Sequence, residues 1–316
     1  MDPGPGACHD RGQCRRRDAG IGKGVLYRDY DQAGLDAQYN MRAAVPDYPD
    51  FVDRWAAASA RARRTHDVET GIVYGDSAAQ KLDLFRAART DGRPAPLHIF
   101  IHGGYWQAMD KDHFGYIADG VVPRGVHLAV IDYALAPAVD MDEIVRQVRN
   151  AVVWAWRQAA AVGADPERLT VSGHSAGGHL TAMALLTDWA AFAPDLPPRP
   201  LAGGLAISGL YDLEPIRLCY LNDVLGLTPD GAGRNSPLEL LRRRPDGAGP
   251  LPPLALCVGG EETPEFHRQQ ADFAAAWTVA GGAPRIVDAS GLNHFSLVDR
   301  LAEPDGALAR AALAPG

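Results

Sequence analysis

A serine in the middle of the chain has the surroundings of a catalytic nucleophile. Ser175 lies in the stretch Gly-His-Ser-Ala-Gly at 173–177, directly after an apolar run and directly before a segment with helical spacing. A Gly-x-Ser-x-Gly pattern at such a junction forms a strained turn that projects the serine hydroxyl outward. A simple tight turn is the alternative, but the position between a buried strand and a helix favours a nucleophile. The motif therefore predicts acyl transfer through a covalent intermediate on Ser175.

A second motif supplies hydrogen-bond donors of the kind that this reaction needs. His-Gly-Gly-Tyr-Trp at 102–106 follows another apolar run, so Gly103 and Gly104 can present free N–H groups at the carboxyl edge of a sheet. With the N–H of Ala176, at the start of the helix after Ser175, they form a predicted oxyanion hole. Two glycines could also be an ordinary turn, and their pairing with the serine motif favours the catalytic interpretation.

The general base is expected late in the chain, because the order serine, acid, histidine accompanies this kind of motif. Of the ten histidines, His267 and His294 follow the last predicted buried strand. His267 lies within a helical pattern, whereas His294 lies in a loop after a strand-like stretch, so His294 is the predicted base. His174 and His179, on either side of the serine, are interpreted as packing or pocket-lining residues.

Two adjacent glutamates are candidates for the acid that orients this histidine. The run Leu254–Val258 is followed by Gly-Gly-Glu-Glu-Thr-Pro-Glu at 259–265, and the loop after this strand is the usual place for the acid. Glu261 and Glu262 could each serve, and each could instead be a surface charge or stabilise the start of the next helix. Periodicity does not distinguish neighbouring residues, so both remain open at this point.

Alternating strands and helices must bring these residues together. Continuous apolar runs predict strands buried on both faces of a parallel sheet. These runs are Leu97–Ile101, His127–Ile131, Leu169–Val171, Leu205–Ile207 and Leu254–Val258, with a further strand-like stretch at Arg285–Asp288. Segments of helical spacing lie between them at Met141–Trp156, Gly178–Trp189 and Phe266–Ala280. The repeated order predicts an α/β fold with a mostly parallel, doubly wound sheet and helices on both of its faces.

The segments before this alternation follow a different pattern. Gly71–Tyr74 and Lys81–Phe85 are short runs that predict an antiparallel pair of strands. Residues 27–64 have helical spacing, with Phe51 and Trp55 on one face, and predict one or two helices. We therefore expect one domain at 25–316 that includes a helical N-terminal extension at 25–66.

Residues 1–24 are expected to be a disordered leader, with no apolar core of a secretory signal. Cys8, His9 and Cys14 lie in this segment without a second ligand pair at usable spacing, so a metal site is not predicted. Cys219 and Cys257 lie among apolar residues and are predicted to be core side chains.

Composition and charge exclude several classes of partner. The 316 residues include 31 basic and 39 acidic ones, for a net charge of −8, which argues against nucleic acid or an anionic membrane as the main partner. No apolar run approaches the length of about 18 residues that spans a bilayer. No metal motif or phosphate-binding glycine loop is present, so no cofactor is predicted. These features predict a soluble, cytoplasmic protein, but they do not indicate an enzyme or its substrate.

Taken together, the motifs resemble those of the kynurenine formamidase (arylformamidase) branch of the α/β-hydrolases, near the hormone-sensitive-lipase type of carboxylesterase. The matching stretches cover most of the chain and are Tyr39-Asn40, HGGYWQ at 102–107, GHSAGGHL at 173–180, SGLYDLEPI at 208–216, TPEFHRQ at 263–269 and LNHFSLVDRL at 292–301. The resemblance implies an α/β-hydrolase fold and hydrolysis of N-formyl-L-kynurenine to L-kynurenine and formate, a step of tryptophan catabolism.

The resemblance also assigns the acid and suggests the pocket. In this family the acid directly precedes the Thr-Pro-Glu-Phe stretch, which implies Glu262 rather than Glu261, although well-studied members carry Asp there. That departure favours a second possibility, a carboxylesterase that acts on aryl or short-acyl esters. An aryl leaving group would suit aromatic walls, for which Tyr105, Trp106 and Tyr211 are candidates. A third possibility is a non-catalytic binding protein with a hydrolase fold. It predicts the loss of a catalytic residue, whereas Ser175, Glu262 and His294 are all present. Whether the chain forms a homodimer is left open.

Overall fold

An eight-stranded sheet forms the centre of the protein. The structure, a computed structural model, describes Met1 and residues 24–87, 92–245 and 247–314. The strands are β1 (Val68–Val73), β2 (Lys81–Phe85), β3 (Ala95–Ile101), β4 (His127–Ile131), β5 (Ala164–His174), β6 (Gly203–Ile207), β7 (Leu254–Cys257) and β8 (Arg285–Val287). They lie in the order β1-β2-β4-β3-β5-β6-β7-β8. Strands β1 and β2 run antiparallel to their neighbours, and β3 to β8 are mutually parallel.

The parallel part of the sheet confirms the strands predicted from apolar runs. Every residue of β4, β6 and β7 is buried, because crossover helices cover a parallel sheet on its faces. From β3 the chain moves to β4 on one side and then crosses back to β5 on the other. With right-handed crossovers this reversal places successive helices on opposite faces and makes the gap between β3 and β5 a switch point, where α/β proteins bind ligands.

Helices connect and cover the strands. They are α1 (Gln32–Tyr39), α2 (Met41–Ala44), α3 (Tyr48–Thr65), α4 (Ala118–Val121), α5 (Met141–Val162), α6 (Ala176–Leu185), α7 (Trp189–Phe192), α8 (Glu214–Leu218), α9 (Asn222–Leu225), α10 (Pro229–Arg234), α11 (Pro237–Arg242), α12 (Pro264–Val279), α13 (Ser296–Asp299) and α14 (Ala307–Leu313). Short 3₁₀ turns lie at Lys111–His113, Gly115–Ile117, Val122–Arg124 and Arg300–Ala302.

One predicted helix is divided in the structure. The sequence pattern extends from Gly178 to Trp189, but α6 ends at Leu185 and α7 starts anew at Trp189. The division arises at Asp188, whose carboxylate accepts a hydrogen bond from Ala191 N and so caps a second helix. The helical spacing of apolar residues continues from α6 into α7, so the sequence pattern did not indicate that the helix ends between them.

The N-terminal extension forms three helices rather than one or two. Asn40 separates α1 from α2, since its side chain accepts a hydrogen bond from Ala43 N and starts a new helix. Helix α3 buries Phe51 and Trp55, and the indole N–H of Trp55 donates to Asp299 Oδ1 at 2.5 Å. Arg63 Nε donates to buried Asp83 at 2.8 Å. These contacts join the extension to the core of the sheet domain.

Three further expectations concern the cysteines, the leader and membrane spans. Cys219 and Cys257 are buried free thiols, as predicted. The predicted disordered leader and the segment with Cys8, His9 and Cys14 lie outside the described residues, Met1 and Gly24 apart. Among the helices that the structure describes, none combines the length and the apolar character that crossing a membrane requires.

Candidate active site

Ser175 occupies the sharp turn between β5 and α6. The strand ends at His174 and the helix begins at Ala176, so one residue makes the whole turn. Its φ of 59° and ψ of −117° lie in a region that non-glycine residues rarely adopt. A hydrogen bond of 2.8 Å from Ser175 N to Ile207 O holds this backbone in place. Such retained strain is typical of functional positions.

The glycines of the motif are required by close backbone approach. A Cβ on Gly173 would lie 2.2 Å from Gly177 O, and a Cβ on Gly177 would lie 2.0 Å from Ile101 O. Both distances are far below van der Waals contact. The start of α6 therefore packs directly on the ends of β3 and β5, which fixes the position of Ser175 at the switch point.

His294 and Glu262 form a buried pair beside the serine. His294 Nδ1 lies 2.6 Å from Glu262 Oε2, and the side chains are 4% and 0% exposed. The other carboxylate oxygen of Glu262 accepts hydrogen bonds from Gly259 N at 2.7 Å and from Ser208 Oγ at 2.5 Å. These bonds orient the carboxylate and satisfy its charge. Glu261 is exposed on the neighbouring turn.

Sequence reasoning did not single out Ser208 as part of this arrangement. Ser208 directly follows β6 and has a φ of 49°, and its N–H donates to Cys257 O at 2.7 Å. The strand end therefore places its hydroxyl beside the Glu262 carboxylate. The one feature of the sequence that could have indicated Ser208 is that it begins the stretch at 208–216, which resembles the formamidase family.

The three predicted oxyanion donors, Gly103, Gly104 and Ala176, line the cavity or directly adjoin Ser175. Gly103 packs so closely that a Cβ there would lie 2.8 Å from His174 O and 3.1 Å from Ser175 Cβ. Gly104 has a φ of +105°, which favours glycine and turns the peptide after β3 into the cavity. Within the described residues, the N–H groups of Gly103, Gly104 and Ala176 have no hydrogen-bond acceptor. They are free to donate to an oxyanion, with the positive end of α6 behind Ala176.

Three histidines near the serine are buried, and burial favours their uncharged form. Burial lowers the pKa of His102 and of His179 to about 4. The ring of His102 stacks on Tyr133 at 4.3 Å, and its Nδ1 hydrogen-bonds to Gly103 O. The ring of His174 lies 4.6 Å from the His294 ring, and burial lowers the pKa of His174 well below its usual value.

Two of the three predicted wall residues belong to the core instead. Trp106 is fully buried and its indole N–H donates to His179 Nδ1 at 3.2 Å, while His179 Nε2 donates to Asn235 O. Tyr211 is also fully buried and stacks on Phe273 with ring centroids 4.1 Å apart. Neither lines the cavity, so their assignment to its wall is corrected. Large aromatic side chains are buried equally well in the protein core and in a cavity wall, so their type alone does not distinguish the two positions.

A cavity of about 400 Å³ opens above Ser175 and His294. Tyr105, the third predicted wall residue, lies in its lining. The other aromatic side chains of the wall are Tyr48, Trp55, Phe114, Tyr220 and Phe295. The polar or charged lining residues besides these are Asn40, Arg42, Gln107 and His174. The N-terminal extension thus supplies part of the wall, from Asn40 to Trp55.

The end of α1 ties two loops of the site together. Tyr105 Oη donates to Tyr39 O at 2.6 Å, which binds the segment after Gly104. Thr263 Oγ1 donates to Gln38 O at 2.7 Å, next to Glu262. Tyr39 Oη donates to Glu265 Oε2 at 2.8 Å at the start of α12. The extension therefore helps to fix the loop that carries the donors relative to the loop that carries the carboxylate.

No group of three or more His, Cys, Asp or Glu side chains in the described parts of the chain is arranged to hold a metal ion. The chemical groups gathered at the cavity are a serine hydroxyl, an imidazole paired with a carboxylate, and free N–H groups. Such a set can carry out nucleophilic attack on a carbonyl carbon and stabilise the resulting oxyanion.

Comparisons with known proteins show which families the chain is similar to. Residues 82–195 match the family model BD-FAE. Kynurenine formamidase of Danio rerio is 35% identical over 243 residues, which cover 77% of this chain and 80% of the relative. Esterase LipC of Mycobacterium tuberculosis is 33% identical over 148 residues, 45% of this chain and 37% of LipC.

A solved structure from Silicibacter sp. TM1040, described as a candidate thioesterase, superimposes with a TM-score of 0.76 at 31% identity. The match covers 89% of this chain and 99% of that one. The strand order and these relatives identify the α/β-hydrolase fold and a hydrolase. The identity and coverage shared with the Danio rerio enzyme place this chain in the kynurenine formamidase family.

Proposed function

We propose that the protein is a serine hydrolase that converts N-formyl-L-kynurenine to L-kynurenine and formate through an acyl-enzyme on Ser175. The observation that carries this proposal is the 2.6 Å contact between His294 Nδ1 and Glu262 Oε2, in a cavity that His294 shares with Ser175. The carboxylate fixes the ring so that the other nitrogen, Nε2, is free to act as a base. The name of the Danio rerio relative supports the formamide substrate.

The reaction proceeds in two acyl-transfer steps. Ser175 Oγ attacks the formyl carbon while His294 Nε2 takes its proton, and the carbonyl oxygen becomes an oxyanion. Collapse of this intermediate breaks the C–N bond, and His294 gives its proton to the leaving aryl amine. Water then attacks the formyl ester with His294 as base, and formic acid leaves as the proton returns to Ser175 Oγ; the acid ionises to formate in solution. Every proton moves through one imidazole.

The N–H groups of Gly103, Gly104 and Ala176 stabilise the oxyanion in both steps. One such donor is worth about 3–4 kcal/mol of transition-state stabilisation, because it is already oriented and lies away from bulk water. The packing of Gly103 against Ser175, where an added Cβ would lie 3.1 Å from Ser175 Cβ, supports a role of its N–H as an oxyanion donor. Aromatic side chains in the wall, such as Tyr105 and Phe295, suit the aryl ring of the substrate.

A second candidate is a carboxylesterase that acts on aryl or short-acyl esters. Its support is the match to esterase LipC and the glutamate at position 262 in place of aspartate. The same residues would act, and the leaving group would be an alcohol or phenol. Fold and catalytic residues do not separate the two substrates, since the pocket determines the choice.

A direct comparison of two substrates tests both proposals. Purified protein is given N-formyl-L-kynurenine and p-nitrophenyl acetate, and kcat/KM is measured for each with Ser175→Ala as the control. We expect a clear preference for the formamide and loss of both activities in the variant. Strong preference for the ester with negligible kynurenine release would overturn the formamidase proposal. Activity that survives in Ser175→Ala would overturn both.

A further inference from the structure

The wall of the active-site cavity has an uneven charge. Apart from its histidines, one residue of the lining is ionisable at neutral pH, and it is the cation Arg42. No Asp or Glu is among the described lining residues. Glu262 lies behind His294, where both of its oxygens already accept hydrogen bonds. A ligand in the cavity therefore meets a positive charge and no accessible negative one.

Arg42 is available to a ligand. Its guanidinium lies over the ring of Tyr48, with Cζ 5.3 Å from the ring centroid, which gives the side chain a preferred direction along the cavity wall. No carboxylate lies within ion-pair distance of it among residues that the structure describes. By contrast, Arg268 of α12 is engaged by Glu265 and Asp272.

Arg42 reaches the cavity from a different part of the chain than the reacting groups. It lies in α2, within the N-terminal extension, whereas Ser175 and His294 come from loops at the carboxyl edge of the sheet. The positive charge of Arg42 also reaches Tyr220 across the cavity: burial raises the pKa of the Tyr220 hydroxyl, and Arg42 opposes that rise. Arg42 thus lines the cavity from an element other than those that carry the reacting groups.

We infer that Arg42 binds a carboxylate carried by the leaving group of the substrate, and that the enzyme selects aryl formamides or aryl esters with such an acid. This inference rests on the proposed hydrolase function. A guanidinium pairs with a carboxylate through two parallel charge-assisted hydrogen bonds. An ammonium group has no matching carboxylate in the cavity, so a positive substituent contributes repulsion from Arg42 instead of binding.

A series of four aryl formamides with different charges tests this inference. It consists of N-formyl-L-kynurenine (zwitterion), 4-(2-formamidophenyl)-4-oxobutanoate (anion), 2-formamidoacetophenone (neutral) and 3-amino-1-(2-formamidophenyl)propan-1-one (cation). For the wild-type protein we expect kcat/KM to be highest for the anion and zwitterion and lowest for the cation. In Arg42→Gln, the ratio of kcat/KM for the anion to that for the cation falls about tenfold or more, mainly through KM for the anion.

Arg64→Gln is the matched control, because Arg64 is an exposed arginine of the same extension that does not line the cavity. This variant removes the same charge from the protein, so long-range electrostatics alone would change both variants equally. The inference requires the ratio to stay at the wild-type value in Arg64→Gln. An unchanged ratio in Arg42→Gln, or an equal fall in both variants, would overturn it.

A pair of esters keeps the inference testable if the formamides are not substrates. Phenyl acetate and 3-(2-acetoxyphenyl)propanoate differ by a carboxylate on the leaving group, and the same fall in their ratio is expected in Arg42→Gln. Loss of all formamide turnover with this ester result would contradict formamidase activity and support the role of Arg42. Efficient formamide turnover with no dependence on substituent charge would support formamidase activity and contradict the role of Arg42.

Discussion

The hydroxyl of Ser208 donates a 2.5 Å hydrogen bond to Glu262 Oε1, the carboxylate oxygen that faces away from His294. Gly259 N donates to the same oxygen at 2.7 Å. The carboxylate is thereby held from one side while its other oxygen orients the imidazole. The start of the loop after β6 thus helps to orient the Glu262 carboxylate, although Ser208 does not line the cavity.

Replacing Ser208 with alanine is expected to loosen Glu262 without removing it. A hydrogen bond to a charged group contributes about 1.5–3 kcal/mol, and Gly259 N retains part of the orientation. We expect kcat to fall about tenfold with KM nearly unchanged, because the imidazole is less well oriented in the transition state. Ser290→Ala, which removes an exposed hydroxyl, is the control. Wild-type kcat in Ser208→Ala would show that Gly259 alone positions the carboxylate.

Substitution of the two adjacent glutamates separates their roles. Glu262→Gln leaves an amide next to His294 Nδ1, which favours the wrong tautomer, and a loss of about 10³–10⁴ in kcat is expected by analogy with other Ser-His-Asp enzymes. Glu261→Gln changes an exposed side chain, and kcat within about twofold of wild type is expected. Steady-state kinetics on both variants, with circular dichroism to confirm folding, checks this. Similar losses in the two variants would contradict the assignment of Glu262.

Gly103→Ala is expected to reduce catalysis while the protein still folds. The new Cβ would lie 2.8 Å from His174 O and 3.1 Å from Ser175 Cβ, so the loop must shift away from the serine. Displacement of one oxyanion donor costs about 10²–10³ in kcat. Gly249→Ala, where a Cβ would meet open space, serves as control. Undiminished kcat in Gly103→Ala would place the oxyanion elsewhere.

The stability of the protein is expected to fall with acidification below neutral pH. Burial lowers the pKa of His98 from 6.5 to about 3 and those of His102 and His179 to about 4, so the unfolded chain binds more protons between these values and 6.5. This contribution is complete above pH 6.5 and is lost as pH falls through that window, by up to about 1.4 kcal/mol per pH unit for each histidine. Asp132 opposes the trend, since burial raises its pKa to about 6.

Urea unfolding between pH 4.5 and 7.5 measures this dependence. The free energy of unfolding should rise with pH and level off near neutrality, and a His98→Gln variant should show a slope smaller by about one proton. A free energy of unfolding that is flat or falls over this range would show that these histidines are not held neutral in the folded state.

The sequence was most informative where burial and chemistry together permitted a single local structure. Continuous apolar runs can be satisfied by a covered parallel sheet, so β3 to β7 could be predicted, and Ser175 could be found because its motif needs a strand before it and a helix after it. The strand ends then placed Gly103 and His294 near the serine. In these cases local pattern and global fold require the same arrangement.

Sequence reasoning misplaced two residues, left one choice open and missed one contact, each for its own physical reason. Trp106 and Tyr211 have both a large apolar ring and a polar tip, and such side chains satisfy a core position as well as a pocket wall. Glu261 and Glu262 are adjacent in the loop after β7, and periodicity does not reveal which of the two side chains is buried against His294. The bond between Tyr39 and Tyr105 joins residues 66 positions apart, and no local pattern encodes a contact of that separation.

The seating of the N-terminal helices on the cavity has a consequence for how this family can diversify. Arg42 and Tyr48, which line the cavity, precede the first strand, whereas Gly103, Ser175, Glu262 and His294 follow β3, β5, β7 and β8 respectively. Part of the cavity wall therefore comes from a segment upstream of the strands that carry the predicted catalytic residues. Under the proposed function, exchange of residues 40–55 between relatives is expected to change substrate preference while Ser175, Glu262 and His294 are retained.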